Sequence, residues 1–251
     1  MTQTDPQPLA GQTVLITGGA RRLGAATARA LHAAGANVAI HHLKSTADAA
    51  ALVQTFNAIR PASAVTVQAD LLDIARLPEL VAAAIRHFGR LDILVNNASS
   101  FYATPIGNIT AGQFEDLIGT NFRAPLFLAQ AAAPELRRRA GLILNMVDIH
   151  GMRPLKDYPV YSSAKAGLIM LTKSLARELA PEVRVNGIAP GPVMWPADVD
   201  AAMQAQIIDK TLLKRAGCPE DIGKAAFYFA TLAPYVTGQI LAVDGGRSQS
   251  G

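Results

Sequence analysis

Tyr161 and Lys165 stand four residues apart in Tyr161-Ser162-Ser163-Ala164-Lys165. On a helix that spacing puts both side chains on one face, a turn apart. An ammonium beside a phenol stabilises the phenolate and lowers its pKa, which makes the tyrosine a competent proton donor or acceptor. Asp148 lies thirteen residues upstream of Tyr161, in Asn145-Met146-Val147-Asp148. A neutral hydroxyl beside such a tyrosine suits alcohol–ketone chemistry. A carboxyl group there suits a substrate with ring N–H groups and with nitrogens that must be protonated. A Tyr-x-x-x-Lys spacing is common by chance, so its meaning depends on the elements that carry it.

Those elements belong to a chain of 251 residues, half of them apolar and 17% charged, enough for one large globular α/β domain. Net charge is +4 and the pI about 9.4. The Lys and Arg residues are scattered, without a basic run or interleaved aromatics, which excludes the common nucleic-acid modules and leaves a few cations for a phosphorylated ligand. Cys218 is the single cysteine, so an intramolecular disulfide and a cysteine-rich metal site are both excluded, and no metal is expected. The tail, residues 1–12, is polar and lacks the charged start and apolar core of a signal peptide. No apolar run reaches the length of a membrane span, and a cytoplasmic location is expected.

Strand and helix alternate along residues 13–251. Strands are expected at Thr13–Ile16, Asn37–Ile40, Val65–Gln68, Leu91–Val95, Gly141–Leu144, Val183–Ile188 and Ile240–Val243. Helices are expected at Arg22–Ala34, Ala47–Ile59, Leu77–Phe88, Gln113–Leu117, Ala124–Arg139, Val160–Leu179 and Glu220–Leu232. Gly35, Pro61 and Gly89 supply helix stops. The strands read as continuous apolar runs, the mark of a parallel sheet covered by helices on both faces. The expected fold is a single doubly wound, Rossmann-type domain with seven parallel strands and ligand sites at the strands' carboxyl ends.

The motifs fall at those ends. Gly18-Gly19-Ala20-Arg21-Arg22-Leu23-Gly24 joins the first strand to the first helix, where glycines let backbone approach a pyrophosphate and the helix N-terminus favours the anion. The second strand runs into His41-His42-Leu43-Lys44-Ser45, with no acid before Asp48. An acid there would accept from a ribose 2′-hydroxyl; Lys44, Ser45 and Arg22 suit a 2′-phosphate, which favours NADPH over NADH. The plainer alternative makes Lys44 an ordinary exposed lysine and His41 or His42 a satisfied loop histidine. Asp70, followed by Leu71, either accepts from an adenine amino group or caps a helix. Asn97 and Ala98 follow the fourth strand, where side-chain amides can hold neighbouring strands and a ribose. Pro190 and Gly191 follow the sixth and bring backbone towards the nicotinamide amide. Asn121 either holds a water that feeds protons to Lys165 or is a helix-interior amide.

Taken together, residues 13–247 resemble the short-chain dehydrogenase/reductase family, and within it the pteridine reductases and dihydromonapterin reductases. The resemblance rests on Thr17-Gly18-x-x-x-Arg22-x-Gly24, on His41 with Lys44-Ser45, and on Asn97-Ala98-Ser99-Ser100-Phe101-Tyr102. Asn145-Met146-Val147-Asp148 and Tyr158-x-x-Tyr161-x-x-x-Lys165 complete it. Arg22 replaces the middle glycine of the usual family loop, Ser99 replaces the glycine of Asn-Asn-Ala-Gly, and Asp148 replaces the usual serine. The resemblance implies a catalytic group of Asp148, Tyr161 and Lys165, with Met146 beside the cofactor. It implies a pterin held between the nicotinamide and Phe101, since a flat heteroaromatic ring stacks well on an aromatic face; the alternative makes Phe101 a loop aromatic plugging the core. Ser99 and Arg22 would touch pterin or phosphate, and Tyr158 the substrate's edge. Leu43 departs from the family, standing where a histidine often assists the 2′-phosphate.

Residues 192–215 are expected to form a substrate lid, in which Trp195 is either a pocket wall or a hydrophobic anchor. The implied reaction is NADPH-dependent reduction of a dihydropterin such as dihydromonapterin or dihydrobiopterin, with dihydrofolate or folate as further substrates. A carbonyl or 3-oxoacyl reductase that tolerates Asp148 is the alternative. A non-catalytic NADP-sensing scaffold is a third reading, opposed by the intact Tyr161–Lys165 pair. The helix of Tyr161 and Lys165 and the stretch Val243-Asp244-Gly245-Gly246 resemble the surfaces through which this family forms homotetramers.

Overall fold

The short β-branched and aliphatic runs do become strands, and they lie side by side. In the structure, a computed structural model that describes residues 7–195 and 199–250, these are β1 (Thr13–Ile16), β2 (Asn37–His42), β3 (Ala64–Gln68), β4 (Ile93–Asn96), β5 (Leu142–Met146), β6 (Arg184–Pro190) and β7 (Ile240–Val243). They form one seven-stranded sheet in the order β3-β2-β1-β4-β5-β6-β7. Every neighbouring pair is parallel. The first half of the expected tail and residues 196–198 of the expected lid lie outside the described residues.

Alternate residues of each strand feed opposite cores, as the period of two requires. Val14, Ile16, Val38, Ile40, Ile93 and Val95 pack on one side. Leu15, Ala39, Leu94 and Ile143 pack on the other. The first face is covered by α1 (Arg22–Ala33), α2 (Thr46–Ile59) and α8 (Pro219–Thr231). The second is covered by α3 (Leu77–Phe88), α5 (Ala124–Arg138) and α6 (Pro159–Glu178). Both faces being buried explains why the strands carry no polar alternation.

Some boundaries differ from expectation. β2 continues through His41 and His42 because they pair with Val67 and Gln68 of β3. β4 starts after Asp92, whose side chain accepts from Thr13 N at 2.8 Å. The expected helices around residues 113–139 are α4 (Ala111–Ile118) and α5, joined without a loop by one π turn, Gly119–Arg123. One further helix, α7 (Ala201–Asp209), was not expected; Asp200 caps it by accepting from Met203 N at 2.8 Å.

A buried polar ladder fixes α6 to the sheet. Asn96 donates to Asn145 Oδ1 at 2.8 Å, Asn145 to Thr172 Oγ1 at 2.9 Å, and Thr172 to Leu168 O at 2.8 Å. Asn96 and Asn145 are register partners on β4 and β5, and all three side chains are buried. A buried amide that loses its partner costs about 1–3 kcal/mol. Replacing Asn145 with Leu orphans the Asn96 amide, while Thr172 keeps its bond to Leu168 O, so chemical denaturation is expected to show a loss of about 2 kcal/mol. A loss below about 1 kcal/mol would mean the ladder is dispensable.

Candidate active site

Strand order reverses between β1 and β4, and the loops diverging there open a crevice at the carboxyl ends of the strands. A cavity of about 1250 Å³ occupies it, room for a dinucleotide and a second ring system. The candidate catalytic, cofactor and substrate residues converge on this one cavity, except Ser45 and Asn121, which are not in its lining.

At the β1 and β2 end, close backbone approach dictates the glycines. Gly18 has φ +60, and a Cβ on Gly24 would fall 2.3 Å from Gly18 O. Asn97 braces this turn, its amide donating to Thr17 O and Gly18 O at 2.9 and 3.0 Å. His41 braces it from the other side. Gly18 N donates to His41 Nδ1 at 3.1 Å, and His41 Nε2 lies 3.1 Å from Ala69 O. An amide donor on one side and a carbonyl acceptor on the other require the neutral Nε2–H tautomer. Burial holds the pKa of His41 down, to about 4, against the opposing pull of Ala69 O. His41 therefore shapes the loop and contributes no positive charge to it.

Arg22 opens α1 with φ +52, in the left-handed region that favours glycine. A side chain is kept there at a cost of about 1 kcal/mol, the pattern of strain held at a working position. Arg22 and Lys44 both line the cavity. Asp48 does not; it sits on α2 beside Arg21, 3.8 Å away. With cations present and no carboxylate at the end of β2, this wall fits a 2′-phosphate better than a 2′-hydroxyl. Asp70 reaches the cavity wall and turns its own loop, accepting from Leu72 N at 2.9 Å; it caps no helix, since Asp73 is the N-cap of the next 3₁₀ turn and Arg76 that of α3. Ser45 precedes α2 without capping it through its side chain.

The chemistry sits where β5 ends and α6 begins. Tyr161 donates to Asp148 Oδ2 at 2.7 Å, while Asp148 Oδ1 accepts from His150 N at 2.8 Å at the start of a 3₁₀ turn. Lys165 is fully buried and donates to Met146 O at 2.9 Å. Its ammonium lies 5.7 Å from the centre of the Tyr161 ring. Burial lowers the pKa of Lys165 to about 8, with Asp148 pulling the other way. Burial also drives Tyr161 well above 10, reinforced by the charge and the hydrogen bond of Asp148 and opposed by Ser99. This corrects the sequence expectation. Lys165 does not make Tyr161 a phenolate; desolvation and Asp148 hold it as a phenol that keeps its proton.

Aromatic side chains wall the same place. Phe101 stacks on Tyr158, centroids 4.8 Å apart, and meets Tyr161 edge-on at 4.8 Å. Phe101 is 40% exposed and faces the cavity, so it is no core plug. Among the described residues, no hydrogen bond joins Asn121, inside the π turn, directly to Lys165. Asn121 donates to Leu117 O and Ser100 O and accepts from Ser99 Oγ at 2.6 Å, which pins the Ser99–Phe101 loop. Trp195 forms part of the wall, followed by Met203 and Ile207 of α7. His150, Leu155 and Arg247 also line the cavity and were missed from the sequence. Arg247 follows the last strand outside any motif, and no local pattern marks it.

A family model described as enoyl-(acyl carrier protein) reductase matches residues 18–248. The chain is 39% identical to pteridine reductase 1 of Leishmania tarentolae, over 99% of each protein. It is 34% identical to a 3-oxoacyl-[acyl-carrier-protein] reductase of a Synechocystis species, over 95% of this chain and 97% of that one. Among solved structures it superposes with TM-score 0.90 and 34% identity on a blue fluorescent protein from a metagenomic library, crystallised in complex with NADPH, covering 96% of this chain and 99% of that one.

Arg22→Gly separates strain from recognition. Removing the left-handed side chain is expected to raise the thermal midpoint by a few degrees, as relief of about 1 kcal/mol implies. Affinity for a 2′-phosphorylated dinucleotide is expected to fall at least about tenfold in a fluorescence titration, the loss typical of one charge-assisted contact. An unchanged affinity would leave Arg22 with no role in binding.

Proposed function

The chain belongs to the short-chain dehydrogenase/reductase family, and on that premise we propose that it is an NADPH-dependent pteridine reductase that converts a dihydropterin to its tetrahydro form. Dihydromonapterin and dihydrobiopterin fit the reading, with dihydrofolate or folate as further substrates. The observation that carries it is the Tyr161–Asp148 hydrogen bond of 2.7 Å, which puts a carboxyl group where carbonyl reduction needs only a neutral hydroxyl. The 39% identity to a pteridine reductase supports it.

When bound, NADPH supplies the hydride. Arg22 and Lys44 hold its 2′-phosphate, Asn97 and the turn at Gly18 keep the backbone shaped for the pyrophosphate, and Pro190 and Gly191 meet the nicotinamide amide. Lys165 orients the ribose hydroxyls and sets the field at Tyr161. Phe101 covers the pterin ring. Tyr161 gives its phenolic proton to the ring nitrogen beside the reduced carbon, and Asp148 fixes the phenol's direction and accepts hydrogen bonds from ring N–H groups. Residues 192–215, with α7 and Trp195, act as the lid. The protein works as a homotetramer in the cytoplasm in this reading.

The second reading, a 3-oxoacyl reductase, draws on the family model's description and on the carrier-protein reductases among the relatives. Asp148→Ser distinguishes the two. In an NADPH-oxidation assay over a panel of dihydropterins and 3-oxoacyl thioesters, the wild type is expected to turn over pterins and the variant to lose about 100-fold or more, the scale of a lost acid–base partner. Thioester turnover that survives or improves in the variant, with no pterin reduced by either protein, would favour the second reading.

The lowered pKa of Lys165 gives a pH limb. Its ammonium is present below about 8 and is lost as pH rises through that value. Tyr161, pushed well above 10, stays protonated throughout. The kcat/KM for the pterin is therefore expected to decline above about pH 8. A Lys165→Arg variant, whose cation does not titrate there, should show a flat profile at lower overall rate. A wild-type profile level to pH 10 would remove Lys165 from the titrating role.

A further inference from the structure

Arg247 is a cavity-lining cation that neither the cofactor wall nor the catalytic group uses. It is placed firmly. Asp244, at the end of β7, accepts from Gly246 N at 2.9 Å and from Ser248 N at 2.7 Å, and Arg247 N donates to Asp244 O at 3.1 Å. Gly245 and Gly246 supply the left-handed angles of this turn, φ +61 and +81. Arg153, on the segment that follows Asp148, donates to Ser248 O at 3.2 Å and also to Ser250 O. The turn that presents Arg247 is thereby stapled to the loop that presents Asp148.

The guanidinium itself is little used. Its hydrogen bond is to Ser250 Oγ at 3.3 Å, and among the described residues no ion pair involves it. Its place sets it apart from the Lys44 wall that suits a 2′-phosphate. Lys44 follows β2 and Arg247 follows β7, five strand spacings or about 24 Å apart across the sheet. Tyr161 and Asp148, at the end of β5, stand between them. Arg247 thus lies on the side of Tyr161 and Asp148 away from Lys44, in the wall of the same cavity.

We propose that Arg247 recognises an anionic side chain on the substrate, so that pterins bearing a carboxylate tail, of the aminobenzoyl-glutamate kind, are preferred to pterins with a neutral tail. Arginine suits this because its planar fork binds a carboxylate through two parallel hydrogen bonds. The proposal rests on the pterin-reductase reading for the ring and on Arg247 alone for the tail.

The test compares dihydrofolate, with its carboxylate tail, and dihydrobiopterin, with a neutral one, in wild type, Arg247→Gln and Arg247→Lys. The ratio of kcat/KM for dihydrofolate to that for dihydrobiopterin is expected to fall about tenfold in Arg247→Gln and to recover in part in Arg247→Lys, as a lost charge-assisted contact predicts. A ratio that moves less than about threefold in Arg247→Gln overturns the proposal. A tail-only probe keeps the two inferences separate. Titration of p-aminobenzoyl-glutamate into the NADPH-saturated protein should show binding that Arg247→Gln abolishes. If no pterin is reduced but the tail probe binds through Arg247, the reductase reading fails and the anion site stands; if the probe binds equally to wild type and Arg247→Gln, or to neither, the anion site is overturned.

Discussion

The buried ammonium of Lys165 is the constraint to which the catalytic loop answers. Removing an ammonium from water costs several kcal/mol unless neighbouring groups replace the lost hydration. Met146 O accepts a hydrogen bond from it, which fixes the end of β5, and the carboxylate of Asp148 opposes the fall in its pKa. The same carboxylate accepts from Tyr161 and from the backbone of the following turn. One desolvated charge thus ties together a strand end, a 3₁₀ turn and a long helix. The Asn96–Asn145–Thr172 ladder beneath it holds that helix to the two strands from which the loops depart.

Much of this was legible in the sequence because the features involved are local. A continuous aliphatic run ended by a glycine or a polar cluster marks a parallel strand, and the turn after it is where a ligand binds. Gly18, Gly24 and Asn97 follow such runs, Tyr161 and Lys165 share one face of the helix after β5, and all five reach the cavity. What escaped depends on contacts between segments distant in the chain. Arg247 lies in the cavity only because β7 pairs with β6 and the turn after it folds inward. The π turn at Asn121 has no residue pattern that marks it in the sequence. The acidity of Tyr161 was misjudged because adjacency on a helix reveals the lysine but neither the depth of burial nor the carboxylate that outweighs it.

His41 and Arg22 show how charge is apportioned within one wall of the cavity. Both stand beside the glycine turn, yet burial neutralises His41 and turns it into a brace, whereas Arg22 projects into the cavity from a strained backbone. Composition alone would count two basic residues at this wall. The geometry leaves one to shape the loop and one to carry charge, with Lys44 as its companion.

The Tyr161–Asp148 pair also bears on direction. A phenol held well above its ordinary pKa enters the reaction already loaded with the proton that reduction consumes. Oxidation of the reduced product would have to begin from the deprotonated tyrosine, a form scarcely populated near neutrality. Burial and the Asp148 carboxylate together act as a latch on that proton, with the hydrogen bond of 2.7 Å as its catch.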